Sequence, residues 1–274
     1  MGFLTGSEVC LRFVPAPPCS GVVFVRDDLR PRAIIPALLE EVSGTQRRTT
    51  VGRSPAQVGL VEHVLAALAG LRIDNCRIEL NAPEPPGLDG SARGFVAALH
   101  DAGCVLQPTR RPIHSVEAPV VVEHQGATLA LHPPDDDELT ISYILDYGPR
   151  APIMPQRHSE VINPTNFAQE LAGCRTFLLE SEAVELRRQG LGARITESDL
   201  VVFGERGPIA NQLRFANEPA RHKILDIVGD LSLLGHDLRG HVVAYRSGHP
   251  LNVELGRALR RLFAAASSQQ RWAA

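Results

Sequence analysis

The chain has 274 residues, a formal net charge of −3 and 44% apolar residues, enough to build real cores in one large domain or two ordinary ones. A pI near 6.4 gives no cationic footprint for nucleic acid, and no window reaches the roughly 18 to 20 uncharged apolar residues of a membrane span. Met1-Gly2-Phe3-Leu4-Thr5-Gly6-Ser7-Glu8 has neither the basic region nor the apolar core of a signal peptide.

Taken in chain order, residues 9–14 and 21–25 alternate as the arms of a β-hairpin around Pro15-Ala16-Pro17-Pro18. Residues 47–51 predict a strand and 62–69 a buried helix ended by Gly70. Residues 75–81 predict another strand, and 94–102 a second helix. The polar stretch Gln107-Pro108-Thr109-Arg110-Arg111-Pro112 predicts a linker. After it, 116–122, 127–131 and 139–145 predict strands, with Asp135-Asp136-Asp137-Glu138 as a solvated turn. Residues 166–172 and 182–189 predict helices, 200–203 a short strand, 220–234 a helix and 240–245 a strand. A loop at Ser247-Gly248-His249-Pro250 then leads into a helix over 251–263. Each half reads as several strands, a helix, a strand and another helix. The expectation is an α+β protein of two domains, 1–107 and 113–274.

Chemistry concentrates in three fragments. In the first, His222, Asp226 and Asp230 recur every fourth residue between apolar ones, so they share one face of a helix. Short carboxylates are poor helix formers, so something other than helix stability keeps them there. In the second, Glu62-His63 opens the buried helix over 62–69. Catalytic zinc takes three protein ligands and leaves one position open; His63, His222 and Asp226 would make a His₂Asp set, with Glu62 beside the water. A lone buried histidine such as His63 is as often packing as ligand, and the His222 face could instead cap or salt-bridge a neighbour. The third is His249, between a strand and a helix, a common place for an acid or base and also for a solvated turn residue.

Together these residues resemble the family of UDP-3-O-acyl-N-acetylglucosamine deacetylases, zinc amidases of lipid A synthesis. Gly70-Leu71-Arg72-Ile73-Asp74-Asn75, Ala82-Pro83-Glu84 and Leu88-Asp89-Gly90-Ser91-Ala92 look like the family's first-domain signature. Cys174-Arg175-Thr176-Phe177 looks like its A-R-T-F segment, and the resemblance runs from about Gly2 to near Leu262. It implies two α+β domains of similar topology, with helices sandwiched between mainly antiparallel sheets and the site in the cleft between them. It also implies hydrolysis of the N-acetyl amide of an acylated UDP-GlcNAc, with one catalytic zinc (iron(II) fits the same ligands).

The roles implied are Glu62 as general base and His249 as acid, held charged and oriented by Asp230. Thr176 and His249 are candidate oxyanion donors, and Lys223 is a substrate contact by resemblance to the family's H-K helix. A βαβ insertion at about 182–203 is expected to pass the acyl chain, with Phe177 at the family's first aromatic position and Leu179 at its second. Three departures stand out: Leu4 replaces a histidine in the G-x-H-S/T-G pattern, Arg194-Ile195-Thr196 replaces Gly-Gly-Ser in the insertion, and the family's strand before Gly2 is absent, as if Met1 were a misassigned start. Five scattered cysteines without a C-x-x-C pair read as free thiols of a reducing cytoplasm. The expected partner is a small-molecule substrate alone, and the default oligomeric state is a monomer. Two other readings remain open: a zinc amidase of the same fold acting on another N-acyl sugar nucleotide, and a non-catalytic sugar-nucleotide binding protein.

Overall fold

The computed structural model describes residues 1–190, 192, 196 and 199–272. The first half contains β1 (Leu11–Pro15), β2 (Val22–Arg26), β3 (Ala33–Pro36), β4 (Val42–Gly44), β5 (Thr50–Arg53) and β6 (Ala56–Gly59). Helix α1 (Glu62–Gly70), strand β7 (Cys76–Leu80) and helix α2 (Arg93–Ala102) complete it. The second half opens with β8 (Ile113–His114), β9 (Val120–His124), β10 (Ala127–His132), β11 (Leu139–Leu145) and β12 (Gln156–Val161). Next come α3 (Pro164–Asn166), β13 (Phe177–Leu179), α4 (Glu180–Arg188), β14 (Val201–Gly204) and β15 (Gly207–Pro208). The chain closes with α5 (Glu218–Ser232), β16 (Asp237–Leu238), β17 (Gly240–Tyr245) and α6 (His249–Trp272).

The architecture is α+β. The first half carries a four-stranded sheet in the order β1-β7-β2-β3 and a three-stranded sheet β4-β5-β6. The second carries a five-stranded sheet β12-β11-β17-β10-β9 and a small sheet β13-β14-β15. Strands β13 and β14 are parallel with α4 between them, so the segment expected to pass the acyl chain belongs to a βαβ unit that begins at Phe177, ahead of the expected 182. Arg194 and Ile195 lie outside the described residues. Among the described residues, no helix is long and apolar enough to cross a membrane.

Two expectations are corrected. Strands β1 and β2 do not form a hairpin; β7 lies between them, antiparallel to β1 (Leu11↔Leu80) and parallel to β2 (Val22↔Cys76). The reason is burial. Four of the five residues of β7 are buried, whereas β1 is at most half-buried, so β7 lies inside the sheet and β1 at its edge. In place of the helix expected over 166–172, three residues of α3, capped by the Asn163 side chain on the Asn166 N–H at 2.9 Å, are followed by a wide helical turn over Phe167–Leu171.

Helix α1 forms because alanine and leucine fill it, and it is buried on every side except at Ala69. Gly70 does not end it by a left-handed turn: the left-handed residue is Arg72 (φ +56°), with the Ile73 N–H donating back to the Leu68 carbonyl at 2.8 Å. Gly70 is required because a Cβ there would strike the Phe167 ring. The contact that brings the halves together is α1 against α5. Gly229 has no side chain because its Cα lies against the Glu62 carbonyl. That close approach sets Glu62 and His63 beside His222, Asp226 and Asp230.

Candidate metal centre and active site

Six titratable side chains converge at the α1–α5 crossing, each between 1% and 9% exposed: Glu62, His63, His222, Asp226, Asp230 and His249. Helix α1 contributes its first two residues. Helix α5 contributes the three at four-residue spacing, and α6 its first residue. His249 thus heads a helix rather than sitting in the expected loop.

Within this cluster, His63 Nε2 and His222 Nε2 lie 3.7 and 3.3 Å from Asp226 Oδ1, and the three ligand atoms fall within 4.8 Å of one another. Ligands about 2.0 Å from a tetrahedral ion lie about 3.3 Å apart, so the triad needs little adjustment to close on a cation. Two further observations fit a metal. Asp226 Oδ1 is buried with no hydrogen-bond partner, which is costly for a carboxylate oxygen unless a cation compensates it. The imidazoles are also in the state that ligands need. Burial, then the neighbouring His222, depresses the His63 pKa to about 3, and burial likewise lowers that of His222. Neutral nitrogens therefore face the carboxylate. The Cys174 carbonyl lies 3.0 Å from His222 Nδ1, so Nδ1 carries the proton and Nε2 is left for the cation. Burial opposes the charge of Asp226, but the Lys223 ammonium, with the His249 imidazolium, overrides it and holds the carboxyl well below the usual range.

Beside the triad is a second, proton-handling set. His249 Nδ1 lies 2.8 Å from Asp230 Oδ2, and its Nε2 is 4.0 Å from Glu62 Oε1. Burial alone would lower the pKa of His249, yet the carboxylates of Asp230 and Glu62 outweigh it and raise it to about 9. Glu62 is pushed up to about 7, chiefly by burial. A carboxylate near neutrality and an imidazolium stable above it are suited to taking and giving protons.

The remaining expected residues are placed less uniformly. Lys223 Nζ donates to Asp226 Oδ2 at 2.8 Å and lies 5.7 Å from the centroid of the Phe177 ring. Phe177 packs edge-on to His222 with ring centroids 6.3 Å apart, so it borders the triad. Thr176 is held through its backbone, its N–H donating to Gly90 at 2.7 Å and its carbonyl accepting from Val201 at 3.0 Å. None of the described contacts ties its hydroxyl to the six groups. Leu179 ends β13, half-buried, its N–H on Glu182 Oε2 at 2.9 Å. Thr196 bonds Asp199.

Three residues that sequence reasoning passed over support the cluster. Asn252 donates to Asp230 Oδ2 at 2.8 Å, and the Thr49 hydroxyl to Asp230 Oδ1 at 2.6 Å. The Tyr143 hydroxyl donates to the Ser247 carbonyl at 2.5 Å, tying β11 to the loop before His249. The i,i+3 spacing of His249 and Asn252 was a usable signal; Thr49 had none.

The LpxC family profile, described as UDP-3-O-acyl N-acetylglycosamine deacetylase, matches residues 1–261. The chain belongs to this family. The UDP-3-O-acyl-N-acetylglucosamine deacetylase of Chlamydia pneumoniae is 41% identical over 261 residues, covering 94% of this chain and 92% of the relative. The one from Nostoc sp. is 39% identical over 267 residues, covering 96% and 94%. A protein named bifunctional enzyme LpxC/FabZ, from Chlorobaculum tepidum, is 36% identical over 289 residues, covering 95% of this chain and 62% of that protein. Membership makes the orphaned Asp226 oxygen intelligible: the family's deacetylases are metal-dependent, and His63, His222 and Asp226 form a possible site for a metal.

Proposed function

We propose that this protein hydrolyses the N-acetyl amide of UDP-3-O-(3-hydroxyacyl)-N-acetylglucosamine, releasing acetate and the free amine, in lipid A biosynthesis. His63, His222 and Asp226 would hold one divalent cation, zinc in our reading, with iron(II) suited to the same donors. When bound, the cation supplies Lewis acidity: it polarises a carbonyl and makes water a stronger acid. The observation that carries the reading is the buried, unpartnered Asp226 Oδ1 facing two neutral imidazoles in a member of this family.

The chain's own groups then divide the proton work. Glu62 takes a proton from the attacking water. His249, protonated, donates to the tetrahedral oxyanion and then gives its proton to the departing glucosamine nitrogen as the C–N bond breaks. Asp230 orients His249 and keeps it cationic. The Thr176 hydroxyl is a second oxyanion donor. Lys223 would contact substrate, while Phe177, Leu179 and the βαβ segment to about 203 would flank the acyl chain. A division into 1–107 and 113–274 is supported by the separate sheets of the two halves, and a cytoplasmic location would suit a nucleotide-sugar substrate.

The test is mass spectrometry of UDP-3-O-acyl-GlcNAc incubated with protein of measured metal content. Loss of acetyl that stops on chelation and returns with stoichiometric zinc supports the reading. Full activity of metal-free protein overturns it. Turnover only of other N-acyl sugar nucleotides would move it to a different amidase of the same fold.

A further inference from the structure

We propose that Thr49 is a positioning residue for the amide hydrolysis, setting proton acceptor Glu62 and proton donor His249 against one another; this rests on the roles proposed above for those two groups. Thr49 is wholly buried, immediately before β5. Its N–H donates to Glu62 Oε2 at 3.0 Å, its carbonyl accepts the Val61 N–H at 3.3 Å, and its hydroxyl donates to Asp230 Oδ1 at 2.6 Å. Every polar group of the residue is thus committed, two to the start of α1 and one to α5.

The hydroxyl completes the grip on Asp230. Its Oδ2 takes His249 Nδ1 and Asn252 Nδ2, both at 2.8 Å. Oδ1 has Thr49. With donors on both oxygens the carboxylate cannot turn about its own bond, so the imidazole it holds cannot turn either. His249 Nε2 is thereby kept 4.0 Å from Glu62 Oε1. Glu62 is held by the same residue's N–H, so one short segment references both groups, which reach the site from different halves of the chain. Without the hydroxyl, Oδ1 becomes a buried acceptor with no partner, an arrangement that relaxes by rotation. A displacement of about 1 Å at a reacting group can cost about 10²-fold in rate.

A mere packing role makes the opposite ordering of variants, which decides the matter. Thr49→Val keeps the shape and loses the hydroxyl; Thr49→Ser keeps the hydroxyl and loses a methyl. In the full-length, metal-loaded protein acting on UDP-3-O-acyl-GlcNAc, Thr49→Val should lower kcat by about 10- to 100-fold. Its KM should stay within about twofold, since substrate is not touched, and its metal content should match the parent. Thr49→Ser should recover most of kcat. A second readout needs no substrate: the downfield proton on His249 Nδ1 in NMR spectra, identified by its loss in His249→Gln. It should be sharp in the parent and in Thr49→Ser, and broadened or shifted in Thr49→Val. If the valine variant folds poorly, Thr49→Ala takes its place in both measurements. Serine falling as far as valine, or an unmoved imidazole proton in the valine and alanine variants, overturns the proposal. A parent protein without turnover whose imidazole proton still responds to Thr49→Val would sink the proposed substrate and leave the Thr49–Asp230–His249 linkage standing.

Discussion

The paired helices α1 and α5 have a charge cluster at each end of their contact, and the two clusters differ in access to water. At the start of α1 the six site groups are at most 9% exposed. Past the other ends of the same helices, Arg72, Asp74, Arg111 and Asp237 pair across the halves with side chains 16% to 48% exposed. Arg111 reaches Asp74 at 3.1 Å and Asp237 at 2.9 Å, and Arg72 reaches Asp237 at 3.5 Å. Two cations meet two anions there, so the formal charges balance. At the dry end one carboxylate oxygen has no partner and two pKa values are moved toward the working range. A half-wet cluster balanced within itself holds surfaces together weakly, whereas a dry, unbalanced one calls for a cation from outside and can move protons.

The largest effect that would test this contrast comes from the unbalanced group. Asp226→Ala should bind less than stoichiometric metal by elemental analysis and lose turnover by more than the 10²- to 10⁴-fold expected of about one acid or base. Chelation of the parent should reproduce the loss. A variant that kept metal would mean that Asp226 Oδ1 is not a ligand atom.

Next in size, Glu62→Gln should retain metal and lose kcat by about 10²- to 10⁴-fold, since the amide cannot accept the proton. Normal turnover in that variant at neutral pH would remove Glu62 as the base.

The pH dependence of kcat/KM is subtler. Glu62 must be deprotonated, so activity rises through its pKa, raised to about 7. His249 must be protonated, so activity falls through its pKa, raised to about 9. The profile should be a bell with both limbs belonging to the coupled set, and a bound cation draws both toward lower pH. Asp230→Asn removes the negative partner of His249, so the basic limb should move further down. A basic limb that stays in place would reduce Asp230 to packing.

The smallest effect belongs to the wet end. Asp237→Asn should change stability by about 1 kcal/mol or less in either direction, as exposed ion pairs do, and the change should shrink in salt. Burial already raises the pKa of Asp237 despite Arg111, so the pairs there only partly offset desolvation. Turnover should be unchanged. A large fall in kcat would mean that the far pairs set the geometry of the cleft.

Much of this was legible in residues that carry a period. Strands 139–145 and 240–245 read directly from the chain, and the crowded face of α5 announced itself through residues too polar and too short for an ordinary helix. Glu62-His63 stood out at the head of a run with no other charge. What failed was pairing. The alternation in 11–15 and 22–26 marks both as strands but says nothing of which edge each meets, and β7, far along the chain, enters between them. The true reason for Gly70 is one ring packed against one backbone, a contact that leaves no periodic trace.

By itself, then, the chain determined its elements, its donor set and the residue types available for proton transfer, because helix and strand periods and side-chain chemistry are local properties. The tertiary structure decided which oxygen of Asp226 stands unpartnered, that His249 and Glu62 face one another at 4.0 Å, and that Thr49 reaches Asp230 across 181 residues. Those are distances between groups remote in sequence, set by how closely α1 can approach α5 at Gly229, and only the packed chain determines them.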